Sequence, residues 1–171
     1  HIIGCGAIVA LMIVYNPKLY KLYGDAAGIQ RKARIAVCEV NTGLSRSAAC
    51  AQLRLVAVEP IQYSTAGNIG ADLSKIRGDK QVNQLRAKHK ADVVCLVSEA
   101  GGGGVAGSGY SVIARHTIMK SGWTLGHEVG HNLGCPHRTG HAFFDGRAGH
   151  YTFMSMGPGQ SGLLHPHVKY R

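Results

Sequence analysis

The sequence HEVGHNLGCPH occupies residues 127–137 and fills every fixed position of the pattern H-E-x-x-H-x-x-G-x-x-H. A step of four residues on an α-helix brings His127 and His131 onto one face, so that two imidazoles can bind one metal ion. Gly134, three residues later, can end the helix with a positive φ and turn the chain back towards that ion. This turn makes His137 the predicted third ligand. Three neutral nitrogens leave a fourth tetrahedral position open, which is typical of catalytic zinc and not of closed structural zinc.

Glu128 follows the first predicted ligand and is expected to point slightly off the metal axis. Its carboxylate can then reach a water molecule at the metal instead of the zinc ion itself, which is the position of a general base. The apolar residues Leu125, Val129 and Leu133 recur at i, i+4 and i+8 and predict a helix packed on a core. The alternative, a histidine-rich helix facing solvent, does not explain this stripe.

A second motif lies downstream at residues 151–157, Tyr-Thr-Phe-Met-Ser-Met-Gly. With this segment and the long zinc signature, the chain resembles the metzincin metallopeptidases, nearest the reprolysin-like and peptidyl-Asp metalloendopeptidase branch. The resemblance implies that Met154 is the Met-turn residue, which packs beneath the three imidazoles and is not a ligand. Two positions differ from the family pattern: Arg138 stands where reprolysin-like members usually carry Asp, and Met156 stands where many metzincins carry Tyr.

The resemblance covers most of the chain and implies its fold. Ala7–Pro17 resembles the first strand and helix start of these peptidases, Ala91–Val97 their central strand, Gly109–Ile113 the segment before the zinc helix, and Leu164–Tyr170 their closing segment. We therefore expect an α/β, metzincin-like fold: a twisted mixed sheet with long helices (a backing helix and the zinc-binding helix) and a small irregular C-terminal subdomain after the zinc motif. The 171 residues make one catalytic domain of ordinary size, with an N-terminal subdomain at 1–134 and a C-terminal subdomain at 135–171.

Periodicity along the chain independently predicts an α/β layout. Asn16 and Pro17 fit an N-cap and a first helical residue, and apolar residues at helical steps from Leu22 to Val40 predict one long first helix. Further along, the patterns predict a strand around Leu53–Ala57 that Pro60 bends or interrupts, a helix over Ala71–Lys90 interrupted near Gly78, and a strand over Asp92–Val97.

The glycine run Gly101–Gly104, followed by Gly107 and Gly109, is predicted to be a loop. It lacks the G-K-[ST] ending of a phosphate-binding loop and does not lead directly into a helix, so nucleotide binding is not expected. No internal repeat and no linker divides the chain into further domains.

The metzincin resemblance gives this segment a more specific role. In these peptidases the segment after the central strand forms the upper rim of the cleft, where an extended substrate pairs with it by β-augmentation. Residues 105–110 are the candidate rim here, and Val105, Ala106 and Gly107 are the candidate contacts; the alternative is a surface loop without a substrate role. Ser155 and Met156, after the Met-turn residue, are candidates for the wall of the S1′ pocket.

The chain carries 19 basic and 9 acidic side chains, a formal net charge of +10. Such a surface favours anionic partners, so an acidic protein or a sialylated or sulfated glycoprotein is a candidate substrate. The basic residues are dispersed, and the densest cluster, at residues 31–34, lacks interleaved aromatics, so nucleic-acid binding is not expected. The most apolar stretch, Ile2–Tyr15, is too short to span a bilayer, so membrane insertion is not expected either.

The five cysteines are scattered and odd in number, so at least one is unpaired within the chain. In a secreted peptidase one or two disulfides are expected, and Cys38–Cys50 is the first pairing to test. Cys135 lies inside the zinc signature, where a structural role is expected because three histidines already supply the protein's ligands. A chain that begins at His1 without Met leads us to expect that a signal and a pro-segment have been removed.

Together these observations predict a monomeric, secreted zinc-dependent endopeptidase with one catalytic Zn²⁺ and with Glu128 as general base and then general acid. Its substrates are predicted to be proteins or glycoproteins, and whether calcium is also bound is left open. Two alternatives stay open. One is a catalytically silent, zinc-containing module that binds a glycopeptide or protein; the other is a zinc amidohydrolase that acts on a non-peptide amide.

Overall fold

The structure is a computed structural model that describes residues 6–46, 51–120, 122–135, 137, 142–143 and 150–151. The strands of the main sheet are β1 (Ala7–Tyr15), β2 (Ala51–Pro60), β3 (Val93–Ser98), β4 (Gly104–Gly107) and β5 (Tyr110–Ala114). They lie in the order β2-β1-β3-β5-β4, with β4 antiparallel to β5 and the other pairs parallel. This mixed sheet with its covering helices confirms the predicted metzincin-like α/β class.

Helices connect the strands and cover both faces of the sheet. They are α1 (Tyr20–Tyr23), α2 (Ala26–Arg46), α3 (Ile69–Gly78), α4 (Lys80–His89), α5 (Arg115–Lys120) and α6 (Trp123–Asn132), with a 3₁₀ turn at Pro17–Leu19. Two short strands, β6 (Ala142–Phe143) and β7 (His150–Tyr151), pair in a separate antiparallel ladder. Among the residues that the structure describes, no helix combines the length and the apolar character needed to cross a membrane.

The apolar side chains of the strands alternate between two buried clusters. On β1, Leu11 and Ile13 join a cluster with the inner faces of α2 and α6, whereas Met12 and Val14 join a cluster with α3 and α4. All four side chains are fully buried. This period of two, with both faces covered, is the expected pattern for parallel strands connected by helices.

The prediction of one long first helix is wrong for residues 17–25. Asn16 caps only the 3₁₀ turn, and α1 ends at Gly24, whose φ of +85° carries the chain out of the helical region. The backing helix α2 starts afresh at Ala26 and runs 21 residues. Leu22 is 45% exposed and does not belong to the buried stripe.

The other predicted elements are closer to the structure. The predicted strands appear as β2, which ends at Pro60, and β3, and the predicted break near Gly78 is confirmed. There Asp79 ends α3 and caps α4, since its Oδ1 accepts a hydrogen bond of 3.0 Å from Val82 N. The glycine-rich segment is not simply a loop, because Gly104–Gly107 forms the edge strand β4. The predicted C-terminal subdomain lies almost entirely outside the described residues.

A buried carboxylate joins α3 to the end of β3. Asp72 accepts hydrogen bonds from Tyr63 Oη (2.7 Å), Thr65 Oγ1 (2.9 Å) and Ala66 N (2.6 Å), and from Ser98 Oγ. Burial acts to raise the pKa of Asp72, but these hydrogen bonds outweigh it and hold the pKa below its ordinary value. The network fixes the point where the chain leaves β3 for the glycine-rich rim.

The outer edge of β2 is partly covered by a side chain from α2. Asn41 Nδ2 donates to Leu53 O (2.9 Å), and Asn41 Oδ1 accepts from Leu53 N (2.8 Å). Since β2 is the first strand in the sheet order, this amide takes the place of a neighbouring strand at that residue.

Candidate metal centre and active site

Helix α6 carries the first half of the zinc signature. Leu125 and Val129 are each 1% exposed and pack in the cluster beneath the sheet, as the apolar stripe predicted. Leu133 was predicted to belong to this stripe but is 44% exposed, because it is the C-cap of α6 and lies past the last helical turn. The buried stripe is therefore one turn shorter than the sequence indicated.

A glycine turn returns the chain after α6. Gly134 has a φ of +89°, and its N–H donates to His131 O over 3.0 Å. Cys135 N donates to Gly130 O over 2.9 Å, which closes a helix C-terminal motif of the Schellman kind. This turn has the predicted role of bringing His137 back towards the helix.

The three imidazoles of the signature converge. Nε2 of His131 lies 3.1 Å from Nε2 of His127 and 2.9 Å from Nε2 of His137, and the remaining pair, His127 and His137, is 3.0 Å apart. His127 and His131 are half-buried, and His137 is exposed. The structure therefore brings together all three residues that the sequence selected as ligands.

The donor set fits a zinc ion. A tetrahedral zinc ion with Zn–N distances near 2.0–2.1 Å holds its nitrogens about 3.3 Å apart, close to the triangle seen here. His131 Nδ1 lies 2.8 Å from Cys135 O, a contact that requires the proton on Nδ1 and leaves the Nε2 lone pair free for a metal. Burial lowers the pKa of His131, which favours the neutral ring that a metal ligand must have.

Glu128 lies between the two helical histidines in sequence and is 3% exposed. Its Oε2 is buried and has no hydrogen-bond partner among the described residues. Burial raises the pKa of this carboxyl to about 8. A buried carboxylate oxygen without a protein partner is available to a small polar ligand, such as a water molecule.

The ends of α6 are held by residues that sequence reasoning did not select. At its start, Gly122 N donates a hydrogen bond to the Glu39 carboxylate on α2. At its end, Asn132 Oδ1 accepts from Gly109 N (2.9 Å) and Asn132 Nδ2 donates to Tyr110 O (3.1 Å). Asn132 could have been noticed as a polar residue inside the signature, whereas no local pattern marks Glu39.

The candidate rim residues occupy β4. Val105, Ala106 and Gly107 are half-buried, and β4 is the last strand in the sheet order and contacts α6. Residues 108–109 form a turn, and Tyr110 opens β5. The rim is thus a sheet edge over residues 104–107, next to the helix that carries two of the histidines.

Three predicted site residues, Met154, Ser155 and Met156, lie outside the described residues. Cys38 is exposed and forms no disulfide with another described cysteine, and because Cys50 also lies outside the described residues, the Cys38–Cys50 pairing stays a prediction. Cys135 is half-buried and forms no disulfide with another described cysteine, and its main-chain carbonyl contacts His131.

A helix with two histidines and a buried carboxylate, closed by a third histidine after a glycine turn, defines the class of metal-dependent hydrolases with a three-histidine centre. Residues 30–138 match the family described as metallo-peptidase family M12B, reprolysin-like. Since the match covers more than half of the chain, the chain belongs to this family. The metzincin-like catalytic domain expected from the zinc signature is thereby confirmed.

Relatives from two bacteria are both named peptidyl-Asp metalloendopeptidase. The chain is 29% identical to that of Pseudomonas aeruginosa over 153 residues, a match that covers 75% of this chain and 25% of the relative. It is 28% identical to that of Stenotrophomonas maltophilia over 141 residues, which covers 75% of this chain and 33% of the relative. The chain therefore spans a quarter to a third of the length of these curated relatives.

Among solved structures, the chain is similar to one chain of an assembly described as "Structure of a chaperone-substrate complex". The two share 25% sequence identity with a TM-score of 0.74. The match covers 88% of this chain and 28% of the other.

Proposed function

We propose that this chain is the catalytic domain of a secreted zinc-dependent endopeptidase that cleaves peptide bonds in protein or glycoprotein substrates. The observation that carries the proposal is the triangle of Nε2 atoms, 2.9–3.1 Å on each side, on the helix that also holds the buried carboxylate of Glu128. In this proposal His127, His131 and His137 bind one Zn²⁺. Residues 1–171 form a single monomeric domain, divided into subdomains after Gly134.

When bound, the zinc ion supplies Lewis-acid chemistry that activates a water molecule and polarises the scissile carbonyl. Glu128 takes a proton from the attacking water and later delivers it to the leaving amine, so one carboxylate serves as base and acid. Its side chain is 3% exposed, so the proton that it carries between the two steps is kept away from bulk water. His131, fixed through Nδ1 by Cys135 O, presents Nε2 in one orientation.

The rim strand β4 is proposed to hold the substrate in extended form through main-chain hydrogen bonds. Val105, Ala106 and Gly107 make these contacts along the edge of the sheet that lies against α6. Ser155 and Met156 form part of the S1′ pocket, and Met154 packs beneath the histidines as the Met-turn residue. These last roles rest on the metzincin resemblance alone.

Substrates with acidic residues near the cleaved bond are proposed. The support is twofold: the chain has a net charge of +10, and both relatives are named for a peptidyl-Asp specificity. If this attraction contributes to binding, kcat/KM for an acidic peptide falls with rising salt more steeply than for a neutral peptide of the same length. Equal salt dependence for the two peptides would remove the acidic preference from the proposal.

The assignment of roles is tested with three variants. Glu128→Gln is expected to keep zinc and to lose about 100- to 10,000-fold in kcat. His131→Ala is expected to lose both zinc and activity. Glu59→Gln, a carboxylate on β2 paired with His89 over 2.7 Å, is the control that keeps both. Full activity in Glu128→Gln would contradict the proposed general base.

The reaction class is tested by digestion of a complex peptide and glycopeptide mixture, with and without a zinc chelator, and mass spectrometry of the new termini. Chelator-sensitive cuts establish an endopeptidase and show which residue, or which glycan, flanks the bond. Binding without cleavage by the zinc-loaded protein would favour the silent module, and release of acyl groups from non-peptide amides alone would favour the amidohydrolase.

A further inference from the structure

We propose that Gly104 is a positioning residue for Glu128. Because glycine has no side chain, the Glu128 carboxylate can occupy the space beside this residue of β4. The inference deepens the proposed function and rests on the role of Glu128 as the general base. In this proposal Gly104 does not bind the metal or the reacting atoms, and acts through the side chain of Glu128.

The contact between the two residues is closer than any other side chain permits. A Cβ atom built on Gly104 would lie 2.7 Å from both Cγ and Cδ of Glu128 and still closer to Oε1. Real Cβ atoms essentially never come within 3.0 Å of such neighbours. The φ of Gly104 is not positive, so its backbone conformation does not require glycine. Glycine is required here because the Glu128 side chain lies so close.

Neither β4 nor α6 can move away from this contact. The β4–β5 turn is tied to α6 by the Asn132 amide, which bonds both Gly109 N (2.9 Å) and Tyr110 O (3.1 Å). Helix α6 is itself anchored in the core by fully buried Leu125 and Val129. The group that must give way to a larger residue at position 104 is therefore the Glu128 carboxylate, whose Oε2 no described residue holds.

This arrangement links the base to the strand proposed to bind substrate. The same four-residue strand contacts the carboxylate through Gly104 and offers its edge to an extended peptide at the residues that follow. In this proposal β4 alone therefore determines the distance between the Glu128 carboxylate and the main chain of the substrate. Since a misplacement of about 1 Å can cost about 100-fold in rate, a single added methyl group is expected to show in kcat.

The kinetic experiment compares Gly104→Ala with Gly103→Ala. Gly103 is the neighbouring residue, lacks a positive φ, and has nothing within 4 Å of an added Cβ. Gly104→Ala is expected to bind zinc stoichiometrically, to keep KM within about threefold and to lose about 100-fold in kcat, whereas Gly103→Ala stays near the wild type. Wild-type kcat in Gly104→Ala, or equal losses in the two variants, would overturn the proposal.

A stability experiment tests the contact without any activity. Gly104→Ala is expected to lower the melting temperature by about 3 to 10 °C in the wild-type background, because Cγ of Glu128, which is not at the flexible end of the side chain, must move as well as the carboxylate. In the Glu128→Ala background the same substitution should cost nothing, because the carboxylate is gone. If Gly104→Ala does not fold, the double variant should restore a folded chain.

An equal cost in both backgrounds, or failure of the double variant to fold where Glu128→Ala alone folds, would overturn the inference. A protein without peptidase activity would instead contradict the proposed function and leave this stability cycle intact. The two failures are therefore distinguishable.

Discussion

Helices α3 and α4 on one face of the sheet and helix α6 on the other begin in different ways. On one face, α3 and α4 begin at Asn68 and Asp79, whose side chains accept hydrogen bonds from Ala71 N (2.8 Å) and Val82 N (3.0 Å). On the other face, α6 begins at Gly122, which makes no side-chain cap hydrogen bond. The helix that carries the histidines therefore lacks the local start signal that the purely structural helices have.

Contacts with distant segments replace this signal in α6. Glu39 on α2 accepts from Gly122 N, and Asn132 bonds the β4–β5 turn. The start of α6 lies so close to α2 that a Cβ on Gly122 would clash with Ala36 O. Local caps decide where a helix begins, whereas these long-range contacts decide where the histidines of α6 lie relative to β4.

Substitution of the buried carboxylate on α3 should have the largest effect on stability and a smaller effect on turnover than removal of the Asn132 side chain. Asp72→Asn places an amide among donors that need an acceptor and is expected to cost about 3 kcal/mol of unfolding free energy at neutral pH. Because the folded state lowers the pKa of Asp72, the carboxylate's contribution is present above the unfolded pKa of about 3.9 and is lost as pH falls through the lower folded value. Urea unfolding of both proteins from neutral to acidic pH measures this, and a difference that does not shrink in acid would contradict it.

Removal of the Asn132 amide at the end of α6 should lower stability less than Asp72→Asn does and should lower turnover more. Asn132→Ala loses two hydrogen bonds to the β4–β5 turn and is expected to cost about 2 kcal/mol and about 10- to 100-fold in kcat/KM. The matched control is Asn83→Ala on the opposite face, since Asn83 accepts a hydrogen bond from the Tyr110 hydroxyl of the same strand. Equal kinetic losses in both variants would mean that the hydrogen bonds of Asn132 position the site no more than the contact of Asn83 does.

Loss of the contact at the start of α6 should have a smaller effect. Glu39→Ala removes the acceptor for Gly122 N and is expected to cost about 1 to 2 kcal/mol and a several-fold decrease in kcat/KM, because only the first turn of α6 loosens. Glu39→Gln keeps a carbonyl acceptor and should recover most of the loss. No difference between the two variants, measured by chemical unfolding and steady-state kinetics, would mean that Glu39 does not act through this hydrogen bond.

The smallest effect is expected at a local cap. Asp79→Ala removes the acceptor at the start of α4 and should cost about 1 kcal/mol, with kcat/KM unchanged. Thermal unfolding together with a kinetic assay checks both parts. A kinetic loss as large as that of Glu39→Ala would show that α4 also positions the site.

The sequence predicted those parts of the molecule that short-range patterns specify. The spacing of His127 and His131 placed both on one helix, and the apolar run of β3 marked a buried strand. The pattern failed where tertiary pairing overrides propensity: Gly104–Gly107 is strand only because it pairs with β5, although glycine is a poor strand former. Leu133 fitted the helical period but stands one residue beyond the helix end, and the role of Glu39 depends on a partner 83 residues away.

The two outer edges of the main sheet are not equivalent. At Leu53 on β2 the amide of Asn41 satisfies both main-chain groups, as a pairing strand would. An unprotected edge invites another copy of the same chain to add to the sheet and begin an aggregate. With both main-chain groups of Leu53 satisfied, a strand added beside β2 would gain no hydrogen bonds at that residue, which disfavours self-association there, whereas the short β4 edge lies on the side where we propose that substrate binds.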